Sequence, residues 1–252
     1  MGLNSKKLGI YLPIGYPNKI FPEILDKISR TVDIVELGIP TKKPIYDGPI
    51  IRYIHKILIE HDYEGLKSFY NYLDLLKNVN SEKIILTYYN EISASLENFF
   101  QACSYINAKC VLIPDLLIEH YEQLDEYIDL SRRHNLETCF FISSKFPYKL
   151  VEQLTSFKPY MIYLGLQASS GINLPIQVLR NVHVARKLIN GKSALAIGFG
   201  IDTLQKLKIF LENGADIAIV GTEFLRRLQR EPNEAIKFIE ELSNALRGDN
   251  NS

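Results

Sequence analysis

Glu36 stands near the end of an apolar run, Val32-Asp33-Ile34-Val35-Glu36-Leu37. Side chains on a strand alternate between two faces, so Ile34 and Glu36 share one and Val35 and Leu37 the other. A carboxyl buried on such a face has its pKa raised toward neutrality, which suits it to giving and taking protons. Asp47 follows eleven positions later, in Pro44-Ile45-Tyr46-Asp47-Gly48-Pro49 at the start of the next helical pattern. In an arbitrary protein the first carboxylate would more readily pair with an arginine, and the second would as readily cap a helix. The pair alone therefore leaves catalytic and structural roles both open.

Two glycine-bearing segments add a second kind of chemistry. Ile197-Gly198-Phe199-Gly200-Ile201 precedes a helical pattern that Asp202 is expected to open, and Val220-Gly221-Thr222 precedes Glu223-Phe224-Leu225. Glycine lets backbone N–H groups approach an anion closely, and helix N-termini add a positive dipole end without net charge. One such loop would be an ordinary tight turn. Two in succession near the end of the chain favour a phosphate cradle.

These groups need a scaffold that gathers distant loops. Short runs rich in β-branched and aromatic residues recur at Leu8 to Leu12, Val32 to Leu37, Lys83 to Tyr88, Lys109 to Ile113, Glu137 to Ile142, Tyr160 to Leu164, Ala194 to Ile197 and Ile217 to Val220. Helical periodicity lies between them, as in Leu96, Phe99, Phe100, Cys103 and Ile106, or Leu204, Leu207 and Leu211. Ser95 is expected to cap the first of these and Asn213-Gly214 to end the second. About eight strand–helix repeats without a Gly/Pro/Ser-rich linker predict an α/β fold, a single (β/α)8 TIM barrel over residues 1–248, with 249–252 as a frayed tail. In such barrels the loops after each strand form the active site.

Composition narrows the function further. The chain has 252 residues, 46% of them hydrophobic, and its 29 basic and 29 acidic side chains cancel. The basic residues are scattered, which argues against nucleic acid as a partner and leaves an anionic substrate to local geometry. No apolar stretch is long enough to span a membrane, no signal-peptide pattern opens the chain, and Gly2 is read as part of a structured start rather than a lipidation site, so a cytoplasmic location is expected. Cys103, Cys110 and Cys139 read as buried thiols. The five histidines, at 55, 61, 120, 134 and 183, form no ligand-spaced motif and read as helix-surface or helix-end residues; no metal and no cofactor is expected.

Glu36-Leu37-Gly38-Ile39-Pro40 followed by Tyr46-Asp47-Gly48-Pro49 closely resembles the signature of the tryptophan synthase alpha subunit family. The likeness continues in order through Gly15-Tyr16-Pro17, Tyr88-Tyr89-Asn90, Pro114-Asp115, Ser170-Gly171, Gly198-Phe199-Gly200 and Gly221-Thr222. The resemblance implies retro-aldol cleavage of indole-3-glycerol phosphate, with Glu36 as the acid/base group and Asp47 stabilising positive charge on the indole nitrogen. It implies an indole pocket at Tyr11, Leu86, Tyr88, Leu112, Ile142, Tyr163 and Phe199, and phosphate contacts at Gly171, Gly200, Gly221 and Thr222. By residue type alone the pocket set would fit plain barrel core equally well. It also implies a tryptophan synthase beta subunit as partner.

The chain departs from the family pattern in three places. Thr41-Lys42-Lys43-Pro44 stands where many members carry Ser-Asp-Pro; Leu166-Gln167-Ala168-Ser169-Ser170-Gly171 is one residue short and lacks the family's arginine; and the chain enters its first strand without the helix that often covers the barrel floor. Rival expectations are a Schiff-base aldolase using Lys145, another phosphate-binding barrel enzyme, and a binding subunit that activates and channels indole to its partner.

Overall fold

A computed structural model describes residues 6–63, 65–165, 176–198 and 200–248. Eight strands form one parallel sheet: β1 (Lys7–Pro13), β2 (Ile34–Gly38), β3 (Glu82–Leu86), β4 (Cys110–Leu112), β5 (Cys139–Ser143), β6 (Met161–Gly165), β7 (Ala194–Gly198) and β8 (Ile217–Val220). Their order, β4-β3-β2-β1-β8-β7-β6-β5, runs round the barrel so that among the described residues β4 and β5 are the one pair of neighbours without a ladder. Each strand lies within two residues of the start and end expected from its apolar run.

That last seam is closed by other means. One bridge joins Cys110 and Glu137, and Glu137 N–H donates to the Lys109 carbonyl at 2.9 Å. Beyond it the Tyr127 side chain inserts between the strands. Its hydroxyl accepts from Cys139 N–H at 2.9 Å and donates to the Val111 carbonyl at 2.8 Å, standing in for a ladder bond.

The helices among the described residues are α1 (Phe21–Thr31), α2 (Pro49–Glu60), α3 (Gly65–Asn71), α4 (Leu73–Lys77), α5 (Tyr89–Ile92), α6 (Leu96–Tyr105), α7 (Leu116–Glu119), α8 (Leu124–Arg133), α9 (Tyr148–Ser156), α10 (Ile176–Ile189), α11 (Leu204–Glu212), α12 (Thr222–Arg230) and α13 (Pro232–Gly248). They bury apolar stripes against the outer face of the sheet, as Ile24, Leu25 and Ile28 do on α1. Two expected caps are corrected. Thr203, not Asp202, caps α11, its hydroxyl accepting from Lys206 N–H, while Asp202 instead ion-pairs with Lys206 at 2.7 Å. Ser95 occupies the N-cap position of α6, but its side chain makes no capping bond. Gly214 takes the left-handed backbone expected after α11, with φ 115°.

Strand register decides which side chains face the barrel interior. Tyr11 pairs with Glu36 and Glu36 with Ile84; Gly38 pairs with Leu86 and Leu86 with Leu112; Phe141 pairs with Tyr163 and Tyr163 with Ala196. In a parallel pair these partners point the same way. The interior is thus a packed core of mixed large and small residues, with Glu36 inserted among them. All three cysteines are buried and unbridged.

Candidate active site

Glu36 lies on the inner face of β2, 1% exposed, and its Oε1 has no hydrogen-bond partner among the described residues. Burial, and secondarily the charge of Asp47, raises its pKa from 4.5 to about 8. Near neutral pH it is a carboxylic acid whose Oε1 meets no acceptor or donor among the described residues.

Asp47 reaches the same mouth from the β2–α2 loop. Pro49 begins α2 with its missing N–H at a position that needs none, and Gly48 rather than Asp47 is the N-cap residue. That leaves the Asp47 carboxylate free of capping. Arg52, one turn into α2, pins the loop from behind, donating to the Asp47 carbonyl at 2.7 Å and the Ile45 carbonyl at 2.9 Å. The Tyr88 hydroxyl donates to Asp47 Oδ2 at 2.8 Å and accepts from Tyr46 N–H at 3.1 Å, while the two tyrosine rings stack 6.3 Å apart. Burial pushes the Asp47 pKa up to about 6, with the Tyr88 bond and Arg52 pulling it back. The two neighbouring carboxyls are thereby separated, Glu36 titrating near 8 and Asp47 near 6.

Tyr88 is itself held by a side chain that residue types alone did not single out as functional. Buried Asp115, just after β4, accepts from Tyr89 N–H through both oxygens, at 3.0 and 3.2 Å. This fixes the backbone turn after β3 that aims Tyr88 at Asp47.

Around the carboxylates, Tyr11, Leu86, Tyr88, Leu112 and Tyr163 are all buried, and the structure brings them to one inner surface. Ile142 is corrected: it pairs with Leu164, which pairs with Ile197, so all three point outward to the helices. Phe141 takes the inward place, its ring 5.8 Å from that of Tyr163 and 6.1 Å from that of Tyr46. Gly165 and Gly198 make room for these rings, since a Cβ at Gly165 would collide with Phe141 and one at Gly198 with Tyr163. Phe199 lies outside the described residues.

Gly198, Gly200 and Gly221 lie at the ends of β7 and β8. Gly221 is the N-cap of α12, and the first intrahelical bond runs from Leu225 N–H to its carbonyl, so the amides of Thr222, Glu223 and Phe224 have no intrahelical acceptor. The Glu223 carboxylate is drawn onto Arg226 and Arg227. Gly200 has φ 76°, a conformation that side chains rarely adopt. Gly221 packs against Tyr11, the register partner of Glu36, so Gly221 and Glu36 lie about two strand spacings apart, on the order of 10 Å. Gly171 and the 166–170 segment lie outside the described residues. Lys145, beyond β5, is exposed.

A family model described as tryptophan synthase alpha chain matches residues 3–251. The chain belongs to the tryptophan synthase alpha chain family. It is 31% identical over 228 residues to the tryptophan synthase alpha chain of Saccharolobus solfataricus, covering 90% of each chain. It is 30% identical to that of Sulfurisphaera tokodaii, covering 89% of this chain and 91% of the other. A solved tryptophan synthase alpha-subunit variant from Pyrococcus furiosus superposes with a TM-score of 0.84 at 22% identity over 96% of this chain and 98% of that one. This last likeness speaks for the barrel. Within the tryptophan synthase alpha fold, the Thr41-Lys42-Lys43 departure has a local basis here: the Thr41 hydroxyl accepts from Lys43 N–H at 3.1 Å and donates to Glu91 at 2.5 Å, tying the loop to α5.

Proposed function

We propose that this family member cleaves indole-3-glycerol phosphate to indole and glyceraldehyde 3-phosphate, a carbon–carbon lyase step in tryptophan biosynthesis. The observation that carries the proposal is the buried Glu36, its Oε1 unpartnered among the described residues, with Asp47 beside it at the same barrel mouth; burial raises their pKa values to about 8 and about 6. In this mechanism Glu36 gives its proton to indole C3, turning the ring into an iminium that can accept electrons. Asp47 accepts a hydrogen bond from the indole N–H and offsets the positive charge there. The bond from C3 to the glycerol chain then breaks, its electron pair returning to the ring. The ionised Glu36 takes the proton from the adjacent chain hydroxyl, whose oxygen becomes the aldehyde. The glutamate ends as it began, protonated, and every proton is accounted for.

Tyr11, Leu86, Tyr88, Phe141 and Tyr163 would enclose the indole, and the α12 amides with Gly200 and Gly221 would hold the phosphate. The family supports a tryptophan synthase beta subunit as partner and a cytoplasmic location. Among the described residues no helix is long and apolar enough to cross a membrane.

The test is indole release by the purified chain with and without a beta subunit, beside Glu36→Gln and Asp47→Asn. Release that falls by about 10²-fold or more in Glu36→Gln supports the proposal. A wild-type chain that releases no indole with a competent partner refutes it.

A further inference from the structure

His55 was expected on a helix surface, but the structure seals it inside. It lies on the buried stripe of α2 with Ile51, Ile54 and Leu58 and is 0% exposed. Burial lowers its pKa to about 4, so the ring is neutral near pH 7 and carries one N–H. Thr41 N–H donates to Nδ1 at 3.1 Å. A backbone amide can only donate, so Nδ1 is the bare nitrogen and Nε2 holds the hydrogen. Nε2 is 3.0 Å from the Tyr11 hydroxyl oxygen. That oxygen therefore accepts from His55, and the hydrogen of Tyr11 itself must point to another acceptor. Burial and the charges of Asp47 and Glu36 raise the Tyr11 pKa well above its ordinary value, so the phenol keeps its proton.

The ring direction tells where that hydrogen points. Tyr11 starts beside Gly221, just past β8, and ends over Gly38 on β2, where a Cβ would collide with its hydroxyl. Its polar tip is thus on the β2 side, beyond Glu36 along the strand direction, and turned away from the phosphate cradle. An indole ring offers no oxygen there. The glycerol chain, which links ring to phosphate, does.

We propose that His55 is a positioning residue that fixes the Tyr11 hydroxyl as a donor into the substrate cavity, and that this donor binds a hydroxyl oxygen of the glycerol chain beside Glu36. The assignment deepens the lyase proposal and rests on it for the identity of the substrate, but the orientation of His55 does not.

Two measurements separate the parts. In ¹⁵N NMR of the unliganded protein, His55 should show a bare Nδ1 and a protonated Nε2; the opposite tautomer overturns the relay whatever the enzyme does. For the substrate contact, Tyr11→Phe should lower kcat/KM for indole-3-glycerol phosphate about tenfold, the scale of one neutral hydrogen bond. Its affinity for an analogue joining indole to phosphate through a plain three-carbon chain should stay within about twofold of wild type. His55→Leu should reproduce the loss and add little to it in a Tyr11→Phe background, whereas His55→Gln, which can accept from Thr41 and donate to Tyr11, should recover most of it. Equal losses for substrate and analogue, no loss for either, or additive losses would overturn the contact. Should His55→Leu fail to fold, the tautomer, the Tyr11→Phe comparison and His55→Gln still decide. Failure of wild type to release indole sinks the lyase proposal and leaves the tautomer standing.

Discussion

Replacing Glu36 with Gln should remove activity and at the same time stabilise the protein, by an amount that depends on pH. The folded carboxyl titrates at about 8 against an ordinary value of 4.5. Because the folded state holds the proton more tightly than the unfolded chain, stability is lost as pH rises from 4.5 to 8. At pH 7 the unfolded glutamate is ionised across roughly two and a half units of this window, which costs the native state about 3 kcal/mol at 1.36 kcal/mol per unit. At pH 4 both states are protonated and the cost vanishes; above pH 8 it levels at roughly 5 kcal/mol. Gln keeps the shape and cannot ionise, so Glu36→Gln should melt about 6 to 12 °C above wild type at pH 7, with near coincidence at pH 4. Scanning calorimetry of both proteins at pH 4, 5.5, 7 and 8.5 measures the difference directly. A gap that is the same at every pH would show that Glu36 titrates normally, and the argument for a stored proton would fall with it.

Other consequences can be checked with single variants or a pH series. If Glu36 must start protonated and Asp47 ionised, kcat/KM for indole release should be bell-shaped, falling below about pH 6 and above about pH 8; a limb missing on either side removes that residue's assigned role. Asp47→Asn keeps an acceptor for Tyr88 but loses the charge, so it should cost about 10²-fold or more in kcat and draw the alkaline limb to lower pH, measured by the same assay. Tyr127→Phe should destabilise by about 1–3 kcal/mol in urea unfolding, because it strands the buried Cys139 N–H at the β4–β5 seam and leaves the Val111 carbonyl with the weaker Cys139 thiol as donor. Gly198→Ala should displace Tyr163 and raise KM for the phosphate substrate far more than it lowers the melting temperature; an unchanged KM would place Tyr163 outside the substrate cavity.

The barrel was legible because parallel strands buried on both faces read as uninterrupted apolar runs, and the same property hid the phase of β5. In Phe140-Phe141-Ile142 both faces are hydrophobic, so nothing in the residue types distinguishes the inward Phe141 from the outward Ile142; only pairing with Tyr163 does. On β2 one polar side chain, Glu36, settles the phase at once. The seam was hidden for a different reason, since Tyr127 occupies the helical stripe of α8 like any core aromatic, and its hydroxyl finds the strand edges only after closure. His55 could have been found. Ile51, Ile54, His55 and Leu58 fall at helical spacing, placing a titratable ring on an apolar stripe where burial requires both nitrogens to be satisfied. Glu36 drew attention as a polar group in an apolar strand, and His55 is its counterpart in an apolar helical face. The difference lies in the pattern: a carboxylate stands out at once in an apolar strand, whereas a histidine followed by Lys56 and two positions after Tyr53 merges with the solvent side of a helix until every fourth residue is compared.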